Sequence, residues 1–280
     1  MDNRMLERIF IIILLLMNLC LLGVVLSDRA ETRRSTARIA EQAAAALEDC
    51  GIRIDGDAVA VCQAPPRCGL ERSAAAETEI INGLLGQCTP EDMGGNILFY
   101  RSERGQALFR GSGEVTLLFA ADAVPLRDSE EKTAQRLLRK AGMEAVPAEP
   151  AGTEGAAVLT RFYCCRDGYP VFNAELEFDF SGGSLYMISG TRLFDIRTET
   201  DDSGLLDSVS ALLRFAELVR AGSFSCSRLY GIVPGYLSEV VVSGESSLRP
   251  VWRLETDGGT LLLDAESGNV TGEGLPEAPA

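Results

Sequence analysis

The chain has 280 residues, 46% of them hydrophobic and 24% charged, with 26 basic against 41 acidic side chains and a net charge of -15. That balance describes folded protein rather than a disordered tract, and its acidity repels phosphate backbones, which excludes nucleic acid as the expected partner. Histidine is absent, so no Ser-His-Asp triad, Cys-His dyad, histidine proton shuttle or histidine-ligated metal can be built from this chain alone.

Residues 1–8 form a short charged head, and Ile9 to Leu26 (IFIIILLLMNLCLLGVVL) follows without a single charge. Eighteen residues at about 1.5 Å each reach roughly 27 Å, enough to cross a hydrocarbon core with snorkelling flanks. The competing reading, a cleaved signal peptide, expects an apolar core of about 7–15 residues, and this run is longer and passes straight into helix-forming sequence. The expectation is therefore a single-pass anchor at 9–26. Arginines lie on both sides of it, at Arg4 and Arg8 and at Arg29, Arg33, Arg34 and Arg38, so the positive-inside count does not orient it. An extreme N-terminal anchor before a large domain favours a cytoplasmic N-terminus and an extracytoplasmic C-terminal region.

Beyond the anchor, Glu31 to Asp49 has helical spacing and stops at Cys50-Gly51. Ala58 to Cys62 reads as a short strand and Ser73 to Leu85 as a helix ending at Gly86. Ile97 to Arg101, Gln106 to Arg110 and Glu114 to Ala120 read as strands, completing a membrane-proximal αβ domain over 27–124. Asp128 to Ala141 is an amphipathic helix with Asp128 or Ser129 as cap, and 146–155 (VPAEPAGTEG) reads as a loop. The period then becomes two: Ala157 to Cys165 and Tyr169 to Phe180 flank an Asp167-Gly168 turn, and Ser184 to Phe194 follows Gly182-Gly183. A second helix, Leu205 to Ala221, precedes strands near Ser227 to Ile232, Leu237 to Val242, Pro250 to Thr256 and Thr260 to Asp264. A helix followed by an antiparallel meander thus occurs twice within 125–271, and 272–280 is expected to be a mobile tail. The fold class is α+β: an N-terminal transmembrane helix, then an exported region of repeated helix-plus-meander units.

The residues that carry chemistry are few. Besides Cys20 in the apolar run there are seven cysteines, and Cys62 and Cys68 (CQAPPRC) bracket a Pro-Pro loop that would suit a local disulfide. Cys164 and Cys165 are strand neighbours expected to face opposite sides. Glu175, Glu177 and Asp179 share one strand face and read as a solvated outer stripe, with calcium or a basic partner as the alternatives. No Gly-Lys dipeptide, GxSxG elbow or CxxC pair occurs, so no catalytic, cofactor or metal residue is nominated and no small-molecule substrate is expected. Asn18 is the polar side chain in mid-anchor. An amide there gains about 0.6–2 kcal/mol by bonding to another transmembrane helix, although a single Asn is also tolerated in a span.

The block Leu248-Arg249-Pro250-Val251-Trp252-Arg253-Leu254-Glu255-Thr256, with Thr260 to Leu263 and Asp264-Ala265-Glu266-Ser267-Gly268-Asn269-Val270, resembles the end of the YycI proteins. These belong to the YycH/YycI family of two-component-system regulatory proteins, in which a P-x-W strand precedes an aliphatic strand and a D-A-x-x-G-x-V turn. The opening MDNRMLERIFIIILLLMNLCLL and Gly168-Tyr169-Pro170-Val171-Phe172 are similar as well, and the C-terminal pattern is shared with PepSY-like domains. The resemblance implies a non-enzymatic accessory regulator of an essential WalK/YycG-type sensor histidine kinase governing cell-wall metabolism. Its anchor would contact the kinase helices, and a YycH-like protein would be a further partner. The rival implication is a PepSY-type inhibitor or chaperone of an exported hydrolase or protease. Trp252, a lone Trp on an alternating strand, is expected in the core.

Overall fold

The computed structural model describes Met17 and residues 38–55, 61–148, 152–154, 157–199, 204–242 and 245–271. The expected anchor, apart from Met17, the head and the tail lie outside these residues. No helix among the described residues is long and apolar enough to cross a membrane.

The described chain is mixed α and β, with far more strand than helix. In order it forms α1 (38–48), β1 (Arg53–Ile54), β2 (Cys68–Glu71), α2 (Ala74–Leu85), β3 (Glu91–Asp92), β4 (Leu98–Ser102), β5 (Gly105–Phe109) and β6 (Glu114–Phe119). Then come α3 (Glu130–Lys140), β7 (Ala145–Pro147), β8 (Gly152–Glu154), β9 (Ala157–Arg166), β10 (Tyr169–Ser181), β11 (Ser184–Thr191) and β12 (Ile196–Glu199). The C-terminal part is α4 (Ser208–Arg220), β13 (Arg228–Val242), β14 (Glu245–Thr256) and β15 (Gly259–Asp264).

Helix α3 starts at Ser129, one of its two expected caps, whereas α4 starts at Ser208, three residues after the expected Leu205. Ser73, Ser129 and Asp207 each accept a hydrogen bond from a backbone N–H of the first turn, satisfying a donor that has no partner inside the helix. Their buried faces build two cores. Ile81, Leu84 and Leu85 of α2 and Leu137 and Leu138 of α3 pack with Phe109, Phe162, Phe178 and Ile188 in the first. Ala43 and Leu47 of α1 and Leu212 and Phe215 of α4 pack with Trp252, Leu254 and Leu263 in the second. At Gly83 a Cβ would come within 2.9 Å of Lys140 O, so α2 lies against the end of α3 through a residue without a side chain.

All the described strands join in one sheet whose central path runs β12-β2-β14-β13-β10-β11-β6-β5-β4-β3. Among the described residues the helix-plus-meander unit occurs three times rather than twice. Helix α3 precedes β9-β10-β11 and α4 precedes β13-β14-β15, as the sequence predicts, and α2 precedes a third antiparallel meander, β4-β5-β6. Strand β6 pairs with β11 from Glu114–Thr191 to Leu118–Met187, so residues before and after 124 share one ladder and one core.

Several expectations are corrected. The region 146–155 holds β7 and β8, both bonded to the edge of β9; an edge strand tolerates Pro147 because only one of its sides needs donors. Strand β13 is one long strand with register shifts near both ends, not two. Among the described residues its side away from β14 has ladder pairs with β10 only at Tyr236 and with β1 only at Arg228–Leu229, so the missing N–H of Pro234 leaves no ladder bond unmade there. Val61 and Cys62 are not in a strand; the neighbouring strand is β2, paired with β14 and with β12.

Candidate functional site

The outer face of the sheet, opposite α2 and α3, contains a groove built by a deviation in β10. Tyr169 and Pro170 pair with Arg166 and Cys165 of β9, but the register then slips and resumes only at Glu175–Tyr163. Within the slip Val171 pairs in parallel with Tyr236 of β13. The Asn173 amide takes the place of a strand partner: Nδ2 donates to Ser238 O at 2.8 Å and Oδ1 accepts from Ser238 N at 2.7 Å. Gly235 makes the approach possible, because a Cβ there would stand 2.6 Å from both the Phe172 ring and Pro170 O.

The slip lays Phe172 on the outer face, edge-to-face with Tyr163 at 5.8 Å and 85°. Arg253 of β14 sits over both rings, its Cζ 5.4 Å from the Phe172 centroid and 5.6 Å from that of Tyr163, within cation–π range. One nitrogen donates to the Tyr163 hydroxyl at 3.2 Å and another pairs with Glu255 at 3.2 Å. Val146, Pro147, Ala148, Pro170 and Val233 complete the walls of a recess of about 270 Å³. Glu175, opposite Tyr163, continues the same face toward Glu177 and Asp179. Glu177 is bonded to Arg161 at 2.8 Å. Among the described residues Glu175 makes no ion pair, and Asp179 Oδ1 is buried without a hydrogen bond.

A second cleft, about 290 Å³, lies between Gly142–Glu144, Cys164–Asp167 and Leu193–Asp195. Its thiols are not nucleophiles at neutral pH: burial pushes Cys164 up to about 12 and Cys165 up to about 11. Burial also raises the Cys62 thiol, which lies near Ser208 and Asp207. Among the described residues no group of three or more acidic and thiol side chains is placed to hold a metal ion.

The structure does not join the expected Cys62–Cys68 pair but places the two side chains against different cores. Cys68 lies on β2 inside the first core, whereas Cys62 packs on the second, its backbone N–H donating to Ser208 Oγ at 3.0 Å. Cys164 and Cys165 do alternate along β9 but are both buried. Asn18 lies outside the described residues. Nothing in the sequence joins Tyr163, Phe172 and Arg253 into a site, because they come from three strands, and the local sign of it is the break in alternation at Val171-Phe172-Asn173.

No family model matches the sequence, and no curated protein matches it. Among solved structures the chain is similar to an uncharacterized protein from Eubacterium rectale, with 11% identity and a TM-score of 0.46 over 80% of this chain and 90% of that one. It is also similar to the C-terminal domain of YpeB from Bacillus megaterium, with 12% identity and a TM-score of 0.40 over 72% of this chain and 96% of that one.

Proposed function

We propose that the protein is a single-pass, membrane-anchored accessory regulator that acts by contact, with its C-terminal region extracytoplasmic and a sensor histidine kinase as its partner. The reading gives it no catalytic role. The observation that supports it is the outer-face groove: an aromatic and prolyl recess beside carboxylates that lack cation partners suits the capture of a polypeptide segment. The sequence of the anchor, with Asn18 at its middle, supports a second contact inside the membrane, and the C-terminal block supports the regulator family.

Purification of the full-length protein from native membranes in mild detergent, followed by mass spectrometry, tests the reading. A sensor kinase is expected, with recovery reduced when 9–26 is replaced by an unrelated anchor. Recovery of an exported hydrolase or protease that survives the anchor replacement would overturn the kinase assignment and favour the inhibitor or chaperone reading, in which the exported sheets carry the whole contact.

A further inference from the structure

The recess and the acidic row beside it form one continuous surface, and its chemistry is specific enough to name what it takes. We infer that this surface accepts an extended segment of a partner protein, with an apolar or prolyl side chain in the Tyr163–Phe172 recess followed by basic side chains over Glu175 and Asp179. The inference rests on the contact-regulator reading and supplies the chemistry of one of its contacts.

The recess comes first. Its volume, about 270 Å³, is below the roughly 300–1,000 Å³ of pockets that enclose small ligands and suits one or two side chains. Its lining is ring edge, prolyl and valyl carbon, and the one cation inside it, Arg253, is already engaged by the Tyr163 hydroxyl and Glu255. Val146 at the rim is 37% exposed, so the recess is open to a chain passing over it.

Charge sets the polarity of the occupant. Arg253 with Glu255 and Arg161 with Glu177 are neutral pairs, which leaves Glu175 and Asp179 as the uncompensated charges of the row. Removing the remaining water from unpaired carboxylates is costly unless a cation arrives with the partner. The spacing fits an extended chain: alternate residues of a strand are about 6.6 Å apart on one face, so Glu175 and Asp179 are about 13 Å apart and face residues four apart in the ligand. Tyr163, the register partner of Glu175, places the apolar anchor just ahead of the first basic residue.

The test is selection of short random displayed peptides on the full-length protein in detergent micelles, followed by anisotropy measurements on the enriched peptide made with a fluorophore. Expected is a consensus of Pro or an aliphatic residue followed by Arg or Lys. Its affinity should fall as ionic strength shortens the screening length from about 30 Å at 0.01 M to about 10 Å at 0.1 M. The Glu175→Lys/Asp179→Lys double variant and, separately, Val146→Asp should each weaken binding about tenfold or more; Val146 is exposed and the two acids are half-buried, and an unchanged melting curve shows that the variants fold. No consensus, a neutral or acidic consensus, or affinity unaltered in the double variant would overturn the inference. Kinase recovery without a basic consensus removes the groove and keeps the regulator, whereas a groove-bound basic consensus with no kinase recovered does the reverse.

Discussion

Replacing Glu77 with Ala removes a carboxylate that is wholly buried and joins two arginines from different parts of the chain. Glu77, in the first turn of α2, accepts from Arg72 at 2.6 and 2.9 Å and pairs with Arg192, which follows β11 and whose side chain is 1% exposed. Arg192 also reaches Asp195 at 3.1 Å and Leu193 O at 2.9 Å, and lies over the Phe109 and Phe194 rings. Without Glu77 its guanidinium stays buried with part of its charge uncompensated, which costs about 3–5 kcal/mol. At about 2–4 °C per kcal/mol for a domain of this size, the melting midpoint should fall by roughly 6–20 °C. The assay is thermal unfolding followed by far-ultraviolet circular dichroism and by fluorescence of Trp252, the single tryptophan. Glu77 faces the first core and Trp252 belongs to the second, but β13 and β14 supply Tyr236 and Leu248 to one and Leu229 and Leu254 to the other. Both signals should therefore shift together. The control is Glu77→Leu/Arg192→Met, which removes the buried charges on both sides and should recover most of the loss. A single variant within about 1 kcal/mol of the parent, well short of that cost, would refute the ionic pin, and a fluorescence transition that stays in place while circular dichroism shifts would refute the shared strands as a coupling.

Other substitutions test separate parts of the structure. Gly190→Ala should destabilise by more than about 1 kcal/mol, since φ is +136° and the new Cβ would meet Glu175 O at 2.0 Å; Gly182→Ala, with open space around it, should cost less in the same melting assay. Asn173→Ala should cost about 1–3 kcal/mol in urea unfolding, because the backbone N–H and C=O of Ser238 both lose the Asn173 amide as partner where β10 meets β13. Cys164 and Cys165 should react with a maleimide after Cys50 and Cys88 in timed mass spectrometry, being buried and protonated. Cys164 titrates at about 12 when folded against an ordinary 9.0, so its contribution to stability is complete below about pH 9 and lost as pH rises toward 12; Cys164→Val should flatten that alkaline limb. Hydrogen bonds from the Ser227 hydroxyl and then from the Arg228 and Ser227 amides hold Asp257 below its ordinary 3.8. Its contribution is present above that value and lost as pH falls through the lowered one, so Asp257→Asn should make acid unfolding less steep.

What the sequence discloses and what it conceals divide along the range of the interactions. Ser129 announces its helix because a cap satisfies donors two or three residues away, and Asp207 does the same for α4 although the apolar spacing alone places that start at Leu205. The hairpin at Asp167-Gly168 is equally local, with φ of 52° and 81° at the two turn residues. Strands β7 and β12 are concealed because each is short and takes its hydrogen bonds from a distant partner, β9 or β2, and β8, paired with the start of β9 from Glu154–Ala157, is concealed because its three residues (Gly152-Thr153-Glu154) carry no apolar alternation. The unit α2-β4-β5-β6 has every element visible in sequence but not its kinship to the others, since Gln87 to Asn96, including β3, separates helix from meander. The groove is concealed more deeply. It requires β10 to leave β9, which depends on Gly235 lacking a side chain and on Asn173 reaching Ser238, facts about a neighbouring strand rather than about spacing along the chain.

The same alternation separates the residues of the C-terminal block that fix the core from those that face the groove. Trp252 is buried as expected, its indole N–H donating to Leu206 O at 3.0 Å. Leu263 is buried beside it, and Asp264 Oδ1 accepts from the Ser267 hydroxyl and from the Glu266 and Ser267 amides to close the turn. Those positions specify a meander and its packing. On β14 the side chains between them, Arg253 and Glu255, point to the outer face, where one lies over Tyr163 and Phe172 and the other neutralises it. A strand with one face in the core can hold its fold-determining residues fixed while its outer residues are free to specify a partner. Substituting Arg253 or Glu255 should therefore alter what the groove binds while leaving the Trp252 environment, read by its emission wavelength, as it is in the parent.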